Sequence, residues 1–465
     1  MPISLSVELS RADKAKSPYF YVPFEVPLGT TRIDVAMRYA KADDCVIDLG
    51  LFDTGLAPFP AETGFRGWSG GARDHFFVAT DAATPGYLPG ALPAGRWCVI
   101  LGLYRLPDAP VRVMIELGFD DGPRDIVQAP EVRQVVRPGA GWYRGDLHSH
   151  CFHSDAAGSP ELLHASARQA GLDFLAVADH NTISQRRYFN AASSADLVFI
   201  RALEVTTEFG HANVFGLDDW IDFRFEAQDD ALRMADLVRR KGGLLSINHD
   251  KPPIEWGWTR PVADCMEVWQ SAWPALNEVS LARYQALLAS GQRLSAVGGS
   301  DYHQPDHLEP EHPLGLGRPT TVLLLDDLSE RSVLEALRLG RGYITESPQG
   351  PHLAISVGGV AMGGEAERTA KLEIEIDGAA GDLVQLIDRS GVFLTLDIEA
   401  GRQRLSASIE SAQGFVRAEI IARASREAIL GEISGHLPDW PSDIDAAGIE
   451  NAPLRRAISN PIYLS

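Results

Sequence analysis

The chain is poor in the features that would tie it to an oxidising compartment, a membrane or a polyanion. Its 465 residues hold only four cysteines, Cys45, Cys98, Cys151 and Cys265, far apart and without a CxxC pair. They read as reduced thiols, which excludes a disulfide frame and a thiolate metal site; any metal must be held by nitrogen and oxygen. No run approaches the roughly 18 apolar residues of a membrane span, and the start MPISLSVELSRADKAKS lacks the basic-then-apolar order of a secretory leader. A cytoplasmic protein with no membrane partner is therefore expected. Positive charge is also scarce: 42 Lys and Arg against 63 Asp and Glu leave a formal charge of −21. That balance disfavours nucleic acid, which needs a basic face, and points to a small-molecule partner. Composition leaves the oligomeric state open. Internal repeats and low-complexity segments are absent as well.

What is present is an ordinary globular composition, 45% hydrophobic and 23% charged, in a chain long enough for about two to four domains. Three patterns follow one another. Residues 1–140 alternate apolar and polar positions in short runs such as YFYVPFEV, TRIDVAMRY and RWCVILGLY, separated by clusters such as PGYLPGALPAG. This predicts an antiparallel β-sandwich. Residues 143–348 alternate strand-like runs (DFLAVAD, LVFIRALEV, GGLLSINH, CMEVWQ, RLSAVGGSD, TTVLLL) with helical ones (SPELLHASARQAG, DALRMADLVRRKG, LNEVSLARYQALLASG, SERSVLEALRLGRG). Such alternation is the βα signature of a parallel barrel or doubly wound sheet. From 352 to 465 short alternating strands return, predicting a second, smaller β domain.

Within the middle region histidines and acids collect at strand ends. The stretch RGDLHSHCFHSDAAGS places His148 and His150 two residues apart, on one face of a strand, with Asp146 beside them. The same spacing returns at Asp301 and His303 in GGSDYHQPD; AVADHN ends at His180, RALEVTTEFGHANVFG presents Glu204 and His211, and LLSINHD presents His249. In a βα barrel the carboxyl ends of the strands form one rim, so these residues would converge. Imidazoles and carboxylates together suit Zn, Mn or Fe without choosing among them. Six histidines with Asp155, Glu204 and Asp301 make nine donors, too many for one ion. Two or three metals are expected, with Glu204 bridging. A single H-x-H, or a lone His211 or His249, is more often part of a hydrogen-bonded core; repetition at five strand ends is what favours a metal centre. His164 is expected to be structural, and His153, His307 and His312 to lie on loops near the rim.

Taken in order, GDLHSH, SDAAGSPELLHASARQAGLDFLAVADHNT, the following Glu, NHD and GSDYH resemble the motifs of the PHP (polymerase and histidinol phosphatase) superfamily across residues 143–348. The resemblance implies a distorted (β/α)7 barrel holding up to three metals, flanked here by an N-terminal β-sandwich and a small C-terminal β domain. It implicates His148, His150, Asp155, His180, Glu204, His211, His249, Asp301 and His303 as ligands. The flanks FRGWSGGARDHFFVATDAATPGYLPGALPAGRWCVILGLY and FVRAEII…AISNPIYL resemble the CehA/McbA-type metallohydrolases, which implies hydrolysis without naming a substrate.

Metal-activated hydroxide, formed when the pKa of a bound water falls to about 7, suits such a donor set. The leading expectation is a phosphoesterase in which Glu204, Asp301 and His303 serve catalysis and Lys251, Arg260 and Arg318 hold phosphate oxygens; each of these cations is equally well placed for a surface ion pair. His303, His153 and Tyr302 are candidates for the leaving-group acid. The alternative is a carbamate or carboxylic ester hydrolase, because Trp256, Trp258, Trp269 and Trp273 fall within eighteen residues and would wall an aryl group, unless they simply cover the core. A third reading is an inactive metal-stabilised scaffold whose β domains bind a partner.

Overall fold

The computed structural model describes residues 3–127, 134–304, 312–423 and 453–465. The fold is mixed α/β and rich in strands. The first 120 residues form two four-stranded antiparallel sheets. One runs in the order Ile3–Leu9, Val111–Asp120, Arg32–Arg38, His75–Ala79 and the other Tyr19–Val26, Gly95–Arg105, Val46–Phe52, Phe65–Gly70. Alternation explains their packing: in RIDVAMR every second residue, Ile33, Val35 and Met37, is buried, and these meet Leu49, Leu51, Trp97 and Leu101 from the other sheet in one core.

A second core joins this sandwich to the middle of the chain. Phe52, Phe65, Trp68 and Ile100 pack with Leu203, Val214, Trp220 and Phe223; the Phe65 and Trp220 rings stack at 4.3 Å. Polar bridges tie the same seam, among them Ala61 N to Asp222 Oδ2 at 2.8 Å and Tyr19 OH to Phe223 O at 3.1 Å.

The middle region is built on a run of seven strands: Arg137–Ser149, Phe174–Val177, Val198–Thr207, Gly210–Phe215, Leu244–Ile247, Cys265–Gln270 and Ser295–Gly299, paired in that order. The run bends back on itself where its last strand ends: Asp301 N donates to His148 O at 2.8 Å and His150 N to Tyr302 O at 3.0 Å. The sheet is mixed, whereas a (β/α)7 pattern predicts parallel strands throughout. Val198–Thr207 and Gly210–Phe215 form an antiparallel hairpin, because the two residues between them leave no room for a crossover helix. The link from Ile247 to Cys265 carries no helix either. Helices do form where their end signals are complete. Ser159 caps Pro160–Ala170 by accepting from Leu162 N, and Gly171 closes it at φ 75°; Ser329 and Gly340 do the same for Glu330–Leu339.

The other side of Arg137–Ser149 pairs with Thr320–Leu328, then Gly342–Thr345, Arg455–Ser459, Phe415–Ile421, Leu383–Asp388 and Gly391–Asp397. The strands of the small β domain expected over 352–465 thus in part extend the central sheet. The physical reason is the edge: Gly342–Thr345 would expose its backbone without the Arg455–Ser459 strand. A separate four-stranded sheet, built on His352–Val357, Leu372–Asp377 and Arg402–Ala407, covers one face of this extension and shares a core that includes Val322 and Tyr343.

Candidate metal centre

The strand Arg137–Ser149 delivers His148 and His150 side by side at its end, both buried. His180 follows the Phe174–Val177 strand, Glu204 lies in Val198–Thr207, His211 in the hairpin partner, His249 after Leu244–Ile247, and Asp301 and His303 after Ser295–Gly299. Three positions here need left-handed backbone: Asn181 at φ 55°, His249 at 23° and Asp301 at 53°. Each costs on the order of 1–3 kcal/mol; at His249 and Asp301 the side chain enters the cluster, while Asn181 exchanges hydrogen bonds with the Thr206 backbone beside it. Gly299 is required by closeness, since a Cβ there would lie 2.4 Å from His148 Cβ and 2.9 Å from Glu267 Oε1.

Glu204, fully buried, is the hub. Its Oε1 lies 3.2 Å from His148 Nε2, 3.4 Å from His211 Nδ1 and 3.4 Å from His249 Nε2, while Oε2 lies 2.7 Å from His180 Nδ1 and 3.9 Å from His150 Nε2. Asp301 Oδ1 stands 2.9 Å from His150 Nε2, 3.4 Å from His148 Nε2 and 3.5 Å from His303 Nδ1. Asp155, the exposed member, reaches His180 Nε2 and His303 Nε2, each at 3.4 Å. The structure therefore links all nine residues expected from the motifs.

This donor set fits divalent cations. Ligands bound at the ~2.0–2.2 Å typical of zinc stand roughly 3–3.5 Å apart, which is the spacing seen here. Moreover, His148 Nε2, both ring nitrogens of His150, His211 Nδ1 and Asp301 Oδ1 are buried without a hydrogen-bond partner among the described residues. Buried polar atoms are seldom left so in a finished core. The subsets His150–His180–His303, His148–His150–Asp301 and His180–Glu204–His211 each bring three donor atoms within 4.8 Å of one another.

The imidazoles and carboxylates of the cluster shift one another strongly. Burial pushes Glu204 up, but His148, His211 and His180 outweigh it and hold its carboxyl well below the ordinary 4.5. Burial beside His303 and His180 holds His150 down to about 3, whereas Asp301 and Asp155 overcome burial at His303 and raise it to about 9. The carboxylates likewise outweigh burial at His148 and His180 and raise them, whereas burial lowers His211 as it does His150, so the cluster divides into imidazoles that hold a proton and imidazoles that offer a lone pair.

The motifs missed the residues that hold the ligands in place. Glu267 uses both oxygens, Oε1 on His148 Nδ1 at 2.9 Å and Oε2 accepting from His249 N at 3.1 Å, which directs His148 Nε2 at Glu204. Asn248 donates to Glu204 Oε1 at 2.9 Å and Gln270 to Asp301 Oδ2 at 3.0 Å. The available signal was a Glu inside the otherwise apolar, buried CMEVWQ strand.

The expected phosphate-holding cations are placed differently. Arg260 pairs with buried Asp250, which also takes Arg283 and accepts from Trp256 N; it fastens the loop that contains it. The Lys251 ammonium is buried, donates to Asn277 Oδ1 at 2.7 Å, and is lowered by burial to about 7. Arg318 is half-buried beside the Thr320–Leu328 strand. Of the acid candidates besides His303, His153 meets Ser184 Oγ at 2.7 Å and Tyr302 is only 4% exposed. His164 lies on its helix against Phe199, His312 meets Leu314 N, and His307 is outside the described residues. Trp269 and Trp273 are core, packed edge to face at 4.9 Å.

A cavity of about 1350 Å³ opens beside the cluster and reaches it at Asp155, His180 and His211. Phe209, Phe223 and Trp258 continue this wall; Lys14, Tyr19, Asp48, Trp68 and Arg105, all from the sandwich, form the rest. Lys251, Arg260 and Arg318 do not line it.

No family model matches the chain, and no curated protein matches it. Among solved structures it is similar to a two-domain protein from Bacteroides vulgatus containing a predicted PHP-like metal-dependent phosphoesterase. Identity is 17%, the match covers 64% of this chain and 94% of that one, and the TM-score is 0.36. It is also similar to a protein from Bifidobacterium adolescentis described as a metal-dependent phosphoesterase (17% identity, 42% and 95% covered, TM-score 0.27). A third similar structure is an amidohydrolase from Chromobacterium violaceum with bound sulfate (15% identity, 35% and 88% covered, TM-score 0.26).

Proposed function

We propose that the chain is a metal-dependent hydrolase of a small-molecule phosphoester, working with two or three divalent ions (Zn, Mn or Fe). The observation that carries this reading is Glu204, one buried carboxylate within 4 Å of five imidazoles, several of whose facing nitrogens have no partner among the described residues. Such ions supply Lewis acidity and an activated water. The protein's own residues fix where they sit. The triads His150–His180–His303, His148–His150–Asp301 and His180–Glu204–His211 share members, so neighbouring ions would share ligands. His303 Nδ1 is held by Asp301 O at 2.8 Å, which leaves Nε2 facing Asp155 and His180. We assign catalysis to Glu204, Asp301 and His303. A phosphoryl group offers three oxygens to a multinuclear site, whereas an acyl carbon needs one oxyanion partner, and nine donors suit the former.

A second reading, hydrolysis of an aryl carbamate or ester, is favoured by one observation: Trp258 and Phe209, with ring centroids 5.3 Å apart, line the cavity beside His211. The test is a screen of metal-loaded protein on aryl phosphates, phosphodiesters, aryl carbamates and carboxylic esters, with metal content measured on the same sample. Phosphate release, with at least two metal equivalents per chain, is expected. Turnover confined to carbamates or esters replaces the first reading with the second, and a metal content near zero under metal-replete conditions removes both.

A further inference from the structure

We infer that the cavity between the sandwich and the cluster is the substrate cleft, and that Asp48, on its sandwich wall, recognises a hydrogen-bond-donating ammonium or hydroxyl group on the substrate. This rests on the hydrolase reading above and adds a specificity residue to it.

The sandwich is fixed in place as a wall. Besides the shared core, Lys14 Nζ meets Glu208 Oε1 at 2.7 Å and Ser17 Oγ donates to Glu226 Oε1 at 2.6 Å, both across the cavity's edge. A phosphate or carbamate group alone would leave most of 1350 Å³ unfilled, since pockets for whole drug-sized ligands measure about 300–1,000 Å³. The substrate should therefore carry a sizeable second group that touches the sandwich.

Burial without a partner singles out Asp48, since Asp44 and Arg105, the other charges of the sandwich wall without an ion pair among the described residues, are exposed. Arg11 is paired with Asp108, Lys14 with Glu208 and Lys16 with Asp13. Asp48 lines the same cavity, half-buried in the Val46–Phe52 strand, and makes no hydrogen bond or ion pair among the described residues. Its place is built: Gly102 on the neighbouring strand leaves the space, because a Cβ there would lie 2.9 Å from Asp48 Oδ2 and 2.8 Å from Trp68 Cη2. Burial alone raises its carboxyl to about 7, the mark of an acceptor lacking a donor. A ligand N–H or O–H would supply a charge-assisted hydrogen bond. The rings of Tyr19 and Trp68, 6.4 Å apart, would flank an ammonium or the carbon skeleton of an alcohol.

The probes are phenyl phosphates whose para chain, two to six carbons long, ends in ammonium, hydroxyl or methyl. With metal-loaded wild-type protein, kcat/KM for an ammonium or hydroxyl chain should exceed that for the methyl chain of equal length by about 10- to 100-fold, the worth of a hydrogen bond to a charged group. Asp48→Ala should bring that ratio near one. Asp48→Asn should keep a preference for hydroxyl while losing one for ammonium, which identifies the group read. A wild-type ratio near one, or a preference that survives in folded Asp48→Ala, overturns the inference. If no probe is hydrolysed, the hydrolase reading is what fails; calorimetric binding of the same probes, with the same order expected and the same loss in Asp48→Ala, then decides the role of Asp48.

Discussion

Two buried carboxylates of this chain are handled in opposite ways. Glu419 is held by arginines: Arg417 donates to Oε1, Arg455 Nε to Oε2 at 2.9 Å, and Arg417 is steadied by Gln285 Oε1 at 2.9 and 3.0 Å. None of these side-chain atoms lacks a partner. Glu204 is held by imidazoles, several of whose nitrogens face it without a bond. The first network carries its positive charge permanently, because a guanidinium keeps its proton in proteins. The second takes its positive charge from imidazoles, which can give up their protons and offer lone pairs instead. Burial with complete pairing marks structure; burial with pairing left open, on strained backbone, marks a place for something else.

The largest way to break this contrast is Glu204→Gln. It keeps the shape but removes the charge shared by five imidazoles. Metal content and turnover should fall by more than the ~10- to 100-fold loss typical of an outer-shell partner, while the metal-free protein loses less stability than Glu419→Gln costs. Elemental analysis, kinetics and calorimetry on one preparation check this. A large fall in metal-free stability would place Glu204 in the same class as Glu419.

Glu419→Gln is the mirror image, since it strands a buried Arg417 and should cost about 3–5 kcal/mol with the metal content of the folded fraction unchanged. Its pH dependence has a defined sign. Burial raises the Glu419 carboxyl, but Arg417 and Arg455 outweigh it and hold it below the ordinary 4.5. The stabilisation is thus full above that value and is lost as pH falls through the lower folded value. Denaturant melts of both proteins at pH 7 and below 4.5 should show the gap closing on the acid side; a gap that is constant or widens refutes it.

How far the cluster was legible follows from the same distinction. Period-two spacing marks His148 and His150 because side-chain direction along a strand is local, whereas Asp301 and His303 lie past the end of Ser295–Gly299, with Asp301 on left-handed backbone, and are marked only by their place after a strand. Glu267 and Asn248 act only through partners far along the chain, 119 residues from His148 and 44 from Glu204, and no local pattern reports that. Lys251 and Arg260 were drawn toward phosphate by proximity in sequence, yet Asn277 and Asp250 lie nearer in space. The four helices expected from SPELLHASARQAG, DALRMADLVRRKG, LNEVSLARYQALLASG and SERSVLEALRLGRG lie where their periodicity put them. The hairpin at Glu208 and Phe209 and the capture of the Gly342–Thr345 edge by Arg455–Ser459 are pairing decisions. Alternation shows that a strand exists but not which neighbour it takes.

The smallest expected effect is the most discriminating, and it concerns strain. Asp301 combines a left-handed backbone at φ 53° with a buried Oδ1 that lies among three imidazoles yet accepts no well-formed hydrogen bond among the described residues; in the Glu419 network, by contrast, Arg417, Glu419 and Arg455 all lie in strands. Glycine adopts that φ without penalty and carries no charge, and the backbone bond from residue 301 to His148 O survives the change. Against this stands the loss of Gln270's acceptor at 3.0 Å, on a side chain near enough to the surface to turn toward water. The change also gives up the contacts to His148, His303 and His150 that hold the Asp301 carboxyl well below its ordinary 3.8 despite burial, so the ~1 kcal/mol of relieved strain should leave the metal-free protein close to wild-type stability while turnover is abolished. Chemical denaturation with and without chelator separates the two terms, because metal should stabilise the wild type more than the variant. A variant far less stable than wild type in the absence of metal would show that Asp301 is part of the fold's own support, and the division between a finished network and an open one would not hold at this position.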